Sequence, residues 1–348
     1  MPTFTADQLH DLAVRVLKGA GVSAGDADLV ATELKDANLM GHDSHGVMRL
    51  MQYVDYVERG IIKPDAGFEV VVEKSSFAII DGHFHFGQVT ATKALKIGLE
   101  KARAAGTSTV FIRNCNHVGR LGSYSQKAAL AGLASMMCVN GPGIGGVAPF
   151  GGIDRRLGTN PISMSAPRGD RPFVLDMTSS ASAEGKLRVA FQKGEMVPEG
   201  WLIDNQGNPT TDPAEYYADP PGALLPLGGP LGFKGFGLSV MIDVFGGILS
   251  GSGVCREDVL PGANGVWMYF LDIEQFIARD EYDAQIEKYV AFIKGSRRMP
   301  GVEEILIAGE IEIRRQQQRL ADGVAVPDET WRQIRELATR LDVSLEGL

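Results

Sequence analysis

The sequence predicts an α/β protein in which helices at both ends of the chain flank a mixed region of strands and helices. Three observations carry this. Apolar residues recur at three- and four-residue spacing before residue 60 and again after residue 310. Between them, short runs rich in Val, Ile, Phe and Thr alternate with further helical patterns. No internal repeat and no low-complexity segment interrupts the series.

Taken in order, Thr5 and Gln8 form a capping-box pattern ahead of Leu9, Leu12, Val16 and Leu17, which opens a first helix. Ser23 and Asp26 open a second, which stops near Gly41. A third is expected over 44–60, its apolar face made of Val47, Leu50, Met51, Val54 and Val57. Paired strands follow over 68–72 and 77–80, then a helix over 88–105 ending at Gly106. Strands are expected over 109–112, 135–139, 162–166 and 173–176, with helices after Gly119 and near Ser180. Residues 194–230 are rich in Gly and Pro and read as a long irregular excursion. A helix over 237–249, a strand over 266–273, a helix over 282–293, a short strand over 305–307 and two amphipathic helices complete the chain.

The 348 residues suggest about two domains at the usual domain size. Hydrophobic residues make up 44% and charged residues 22%, enough for a large core without disulfides. The net charge of −9 argues against broad binding to nucleic acid or anionic lipid. Three cysteines without a CxxC pair fit free thiols in a reducing compartment. No signal peptide is apparent, and the uncharged stretch over 128–153 is broken by glycines and prolines, which makes it a poor membrane helix. A cytoplasmic protein is expected.

Gly141-Pro142-Gly143-Ile144-Gly145-Gly146 matches the spacing of a dinucleotide-binding glycine motif. Its context does not fit, because Pro149, Gly151 and Gly152 stand where a helix should begin. A tight loop is the better reading.

The densest chemistry lies in Asp43-Ser44-His45-Gly46 followed by Arg49 and Tyr53. On one helix, His45, Arg49 and Tyr53 share a stripe. Histidine suits proton transfer near neutral pH, and arginine suits a bidentate grip on a carboxylate. The same stripe also reads as a polar face in water. His117, in Asn116-His117-Val118-Gly119, lies between a strand and a helix, a common place for catalytic groups. Thr159 in a Gly-Thr-Asn-Pro turn, Asp176 to Ser180 at a strand-to-helix junction, and Lys234-Gly235 before a helix could each cradle a phosphate or act as plain turns and caps. His42, His45, His83 and His85 raise the possibility of a metal-dependent hydrolase, although their spacing matches no known zinc pattern. No metal is expected.

As an ordered set, these motifs resemble the type-2 malate/L-lactate dehydrogenase family. The residues that carry the resemblance are Asp43-Ser44-His45-Gly46 with Arg49, Phe86-Gly87-Gln88, Asn116-His117-Val118-Gly119, Gly158-Thr159-Asn160-Pro161, Leu175-Asp176-Met177, Glu184-Gly185-Lys186, Pro198-Glu199-Gly200-Trp201 and Lys234-Gly235-Phe236-Gly237-Leu238. They span nearly the whole chain.

The resemblance implies a nicotinamide-dependent oxidoreductase acting on 2-hydroxy or 2-oxo carboxylic acids. It implies a non-Rossmann, largely antiparallel dinucleotide-binding sheet over 76–299, beside a helical domain built from 1–75 and 300–348. His45 and His117 become candidates for the proton carrier. Arg49 would hold the substrate carboxylate, with Tyr53 and Asn140 lining the pocket. Ser44, Thr159, Val174, Leu175, Asp176, Met177, Thr178, Ser179, Ser180, Lys186, Lys234, Gly235, Gly309 and Glu310 match cofactor-contacting stretches. The cofactor would be NAD or NADP, NAD being the first choice, and the assembly a homodimer. Lys186 stands where the imine-reducing branch carries Asp, so reduction of a cyclic imino acid is the second choice. A non-catalytic nucleotide-binding protein on the same fold is a further alternative.

Overall fold

The computed structural model describes residues 1–143, 145–256 and 263–348; Ile144 of the glycine loop lies outside the described residues. The chain begins with β1 (Thr3–Phe4), α1 (Ala6–Gly19) and α2 (Ala24–Leu39). The capping box forms as the sequence predicts, with Gln8 N bonding Thr5 Oγ1 and Thr5 N bonding the Gln8 side chain.

The third helix departs from the expectation. Residues Asp43–His45 and Val47–Arg49 form two 3₁₀ turns, and α3 runs only over Leu50–Glu58. Gly46 is the break. Its backbone is extended, and a Cβ there would lie 2.1 Å from Asn38 Oδ1. That oxygen accepts from Val47 N at 2.9 Å and so caps the second turn. The local hydrogen bond outcompetes continuation of the helix.

The central sheet contains β2 (Glu69–Glu73), β3 (Phe77–Asp81), β4 (Thr107–Cys115), β5 (Leu133–Asn140), β6 (Pro161–Ala166), β7 (Phe173–Thr178) and β11 (Asn264–Asp272). Their order is β2-β3-β4-β11-β5-β6-β7, and only the β3–β4 pair is parallel. Helices α4 (Gly87–Ala105) and α5 (Leu121–Leu130) cover one face. The other carries α8 (Phe233–Ile242) and the wider turn Asp243–Ile248 that extends it.

Residues 194–230 are less irregular than expected. After α6 (Glu184–Lys193), β8 (Leu202–Ile203), β9 (Pro209–Thr210) and β10 (Ala223–Leu224) pair into a small sheet beside the one-turn helix α7 (Ala214–Tyr217). Two-residue strands leave almost no periodicity to read. No helix follows the 141–146 glycine loop, as its context predicted.

The chain closes with α9 (Arg279–Lys294), α10 (Glu310–Asp322), β12 (Val324–Ala325) and α11 (Asp328–Arg340). The strand expected over 305–307 does not form. Just after that segment, Ala308 O accepts from Val174 N of β7 at 3.1 Å. Both chain ends meet: β1 pairs with β12, and Val324, Ile334 and Leu337 join the core of α1–α3. A second core fills the space between the sheet, α4 and α5. Glu33 of α2, buried, ties the two layers together through Ser123 Oγ (2.6 Å) and Lys127 of α5. No helix among the described residues is long and apolar enough to cross a membrane.

Candidate active site

The loop from β4 to α5 meets the two 3₁₀ turns where the helical layer packs on the sheet. Asn116 anchors that loop, donating from its amide to Ile61 O, Phe84 O and His85 O. Gly87 lets it approach α4, since a Cβ there would sit 2.2 Å from Asn116 O and 2.4 Å from His117 O. The imidazole of His117 is thereby stacked on that of His45, with centroids 5.4 Å apart and planes 16° apart.

Ser44 Oγ lies 3.1 Å from His45 Nδ1. Tyr53 Oη lies 2.7 Å from His117 Nδ1 and accepts from Gln88 Nε2 at 2.6 Å. Thus Ser44, His45, Arg49, Tyr53 and His117 converge although they do not share one helix. Gln88 is part of the same group, and sequence reasoning assigned it no role. A polar side chain on the buried side of a helix's first turn was the available signal.

Arg49 donates to Ser44 O and to Gln52 Oε1, each at 2.6 Å. No carboxylate forms an ion pair with it among the described residues. Glu184 lies within its field but engages Arg188 and Tyr217. Burial lowers the Arg49 pKa, as expected for a cation without a counterion. A cavity of about 170 Å³ opens beside it, lined among others by Ser44, Gln52, Gly185, Arg188 and Gln333.

Burial, with Arg49 second, lowers the His45 pKa to about 3 and holds His117 well below its ordinary value. Both rings are neutral at pH 7. Unfolded histidines protonate near 6.5, so below that pH the unfolded chain binds more protons than the folded one. Stability is complete above about pH 6.5 and falls with decreasing pH, by about 1.4 kcal/mol per pH unit for each histidine. Urea unfolding at pH 5.0 and 6.5 should therefore show a loss that the double variant His45→Asn/His117→Asn largely lacks. Equal losses in both proteins would contradict this.

Asn140 is placed differently from the pocket position expected for it. It is fully buried; its amide donates to Asp243 Oδ1 and Gly253 O and accepts from Gly265 N. It holds β5 to its neighbours, with both amide N–H groups and one lone pair of its oxygen engaged. Tyr53, only 1% exposed, also belongs to the support of the site rather than to its wall.

The expected cofactor residues fall into groups. Asp176 on β7 accepts from Gly122 N at 2.8 Å, at the start of α5, and lies 3.8 Å from the Arg120 guanidinium. Arg120 is buried and its Nε has no hydrogen bond. It follows His117 in the same loop but was given no role from sequence.

Thr159 O accepts from both Ser179 N and Ser179 Oγ, and Gly235 packs on this pair, where a Cβ would lie 2.9 Å from Ser179 O. Ser180 Oγ bonds Ser182 O, and Thr178 Oγ1 bonds Ser180 O. Lys234 is exposed, as are Leu175 and Lys186, whereas Val174 is buried and Met177 half-buried. Gly185, just before Lys186, packs against Ser44. Gly309 packs on Val174 at the far edge, and Glu310 engages Lys294 and Ile307 N.

The other histidines do not converge. His83 pairs with Glu69 and Asp81, His85 with Asp26, and His42 with Glu312. Among the described residues no group of three His, Cys, Asp or Glu side chains is placed to hold a metal ion.

A family model described as malate/L-lactate dehydrogenase matches residues 4–335. A malate dehydrogenase of Pyrococcus horikoshii is 40% identical over 350 residues, covering 98% of this chain and 96% of that protein. Hydroxycarboxylate dehydrogenase B of Escherichia coli K12 is 36% identical over 351 residues, covering 99% and 96%. The solved structure of malate dehydrogenase from Pyrococcus horikoshii superimposes with a TM-score of 0.89 at 37% identity, covering 99% and 96% of the two chains.

Proposed function

The chain belongs to the malate/L-lactate dehydrogenase family and is an enzyme of the 2-hydroxyacid dehydrogenase type, and from this premise we propose that His45, Arg49 and His117 form the site that interconverts a 2-hydroxy acid and its 2-oxo acid. The observation that carries the reading is Arg49: a half-buried guanidinium lining the cavity, without a carboxylate partner among the described residues, beside two neutral histidines. A substrate carboxylate supplies the missing counterion. It also offsets the charge that depresses both histidines, so the base becomes stronger only when substrate is bound.

The residues present fit a dinucleotide. Arg120 is buried beside β7 with its Nε unbonded, a donor that a phosphate oxygen would satisfy. A bound nicotinamide would supply the two-electron partner for C2. When bound, it would take up the C2 hydrogen together with its electron pair, and His45 takes the hydroxyl proton in the oxidation direction. Arg49 holds C2 in place, and the surrounding layers exclude water. The largely antiparallel sheet is our choice for the dinucleotide-binding part, and the helical layer from both chain ends for the substrate side.

The test follows nicotinamide absorbance with NADH and NADPH against pyruvate, oxaloacetate, phenylpyruvate, 2-oxoglutarate, diketogulonate and a cyclic imino acid. Turnover with a 2-oxo acid, absent in His45→Ala, supports the reading. Turnover with the imino acid alone moves the chain to the second choice. No turnover and no dinucleotide binding overturns it.

We also propose a homodimer. Phe233, Val240, Met241, Ile248 and Leu249 are exposed along α8 and its extension, in a run whose only charges are Lys234 and Asp243. Light scattering should give about twice the 37.4 kDa chain mass, and a monomer would contradict this.

A further inference from the structure

We propose that Tyr53 and Gln88 are positioning residues that decide which ring nitrogen of His117 carries the proton, making its Nε2–H a fixed donor toward the substrate oxygen. This rests on the reading of His45, Arg49 and His117 as the site of the 2-hydroxyacid reaction.

Gln88 is fully buried on the first turn of α4, and its amide nitrogen donates to Tyr53 Oη at 2.6 Å. The phenol has one proton, and its remaining polar neighbour is His117 Nδ1 at 2.7 Å. Tyr53 therefore donates to Nδ1, which must be unprotonated. The neutral imidazole then carries its hydrogen on Nε2. Turning the Gln88 amide would reverse the chain, because its oxygen would accept from Tyr53 and Tyr53 would accept from Nδ1–H. That arrangement leaves a buried NH₂ without an acceptor. The observed one leaves Oε1 without a donor and a single N–H without an acceptor, one unpaired N–H fewer than the turned amide, and so is the better tolerated of the two.

The consequence is a division of labour between the stacked rings. His117 already has a proton on Nε2, and its Nδ1 is occupied by the phenol. It can hold the substrate oxygen but cannot readily take a proton from it. His45, whose Nδ1 faces Ser44 Oγ, is left to carry the proton. The charged and titratable groups facing His117 are Arg49 and His45 from the 3₁₀ turns and Tyr53 from α3. Arg49 and His45 both oppose a second proton on it.

Spectra of the wild-type protein with ¹⁵N-labelled histidine read the tautomer without any turnover. The His117 signals are those lost in His117→Gln. The expected result is a neutral Nε2–H ring from pH 6 to 8, with Nδ1 accepting a hydrogen bond. A proton on Nδ1, or a ring that titrates in that range, overturns the proposal. Kinetics give the second arm. Tyr53→Phe should lower kcat about 10- to 100-fold, the usual scale for losing a group that orients a reacting one. KM for the 2-oxo acid should change little, because Arg49 still holds the carboxylate. The acid limb of the pH profile should also move upward, because Nδ1 becomes free to take a proton. Gln88→Met should show a smaller kcat loss in the same direction. An unchanged kcat in Tyr53→Phe, or a loss confined to KM, overturns the proposal. Absence of turnover in the wild type would instead contradict the reading of the site, and the tautomer measurement would still decide the relay.

Discussion

Replacing His45 by alanine is expected to reduce turnover at least about 100-fold, the usual contribution of a positioned general acid–base group. The imidazole is neutral and half-buried, and lies beside the guanidinium expected to hold the carboxylate. No other side chain of the cluster can take its place: Arg49 is a cation, Tyr53 is out of reach behind His117, and His117 has its Nδ1 occupied. The loss should be in kcat, with dinucleotide binding retained. His117→Gln should be milder than His45→Gln, because a glutamine amide still offers an N–H to the substrate oxygen. Turnover of His45→Ala near that of the wild type would remove His45 from this role, and a larger loss in His117→Gln would exchange the two histidines.

The second large effect concerns Arg49. Arg49→Lys should lower kcat/KM by about 1.5–3 kcal/mol, or roughly 10- to 150-fold, the worth of a hydrogen bond to a charged group. Most of this should appear in KM, because a planar two-pronged donor becomes a point charge. Stability should respond with the opposite sign. A half-buried guanidinium with no carboxylate partner among the described residues is costly in the ligand-free protein, so Arg49→Met should raise the thermal midpoint while abolishing useful substrate binding. An unchanged KM for every carboxylate substrate, together with a lowered midpoint in Arg49→Met, would show that Arg49 serves the fold instead.

Much of the architecture could be read before any coordinates. The first helix declared itself through Thr5 and Gln8, and the amphipathic C-terminal helices through their periodicity, because both signals are local. The third helix did not begin where its spacing suggested. Gly46 breaks it through a competing partner, Asn38, that belongs to another helix. The strands of the 194–230 excursion escaped for the same reason: two residues carry no period.

The sequence by itself determined the chemical inventory: a histidine and an arginine four residues apart, a second histidine in a strand-to-helix loop, and an ordered set of motifs that marks the family. It also determined the alternation of helices and strands, since that depends on spacing along the chain. Only the tertiary structure decided which of these groups meet. It stacked His117 on His45, withdrew Asn140 into the interior, left Arg49 without a carboxylate among the described residues, and brought Gln88 and Tyr53 behind His117. Those outcomes depend on packing between segments far apart in the chain, such as the approach of residues 116–117 to Gly87. Burial then set the protonation of the two rings, and burial belongs to the folded layers rather than to any residue's neighbours in sequence.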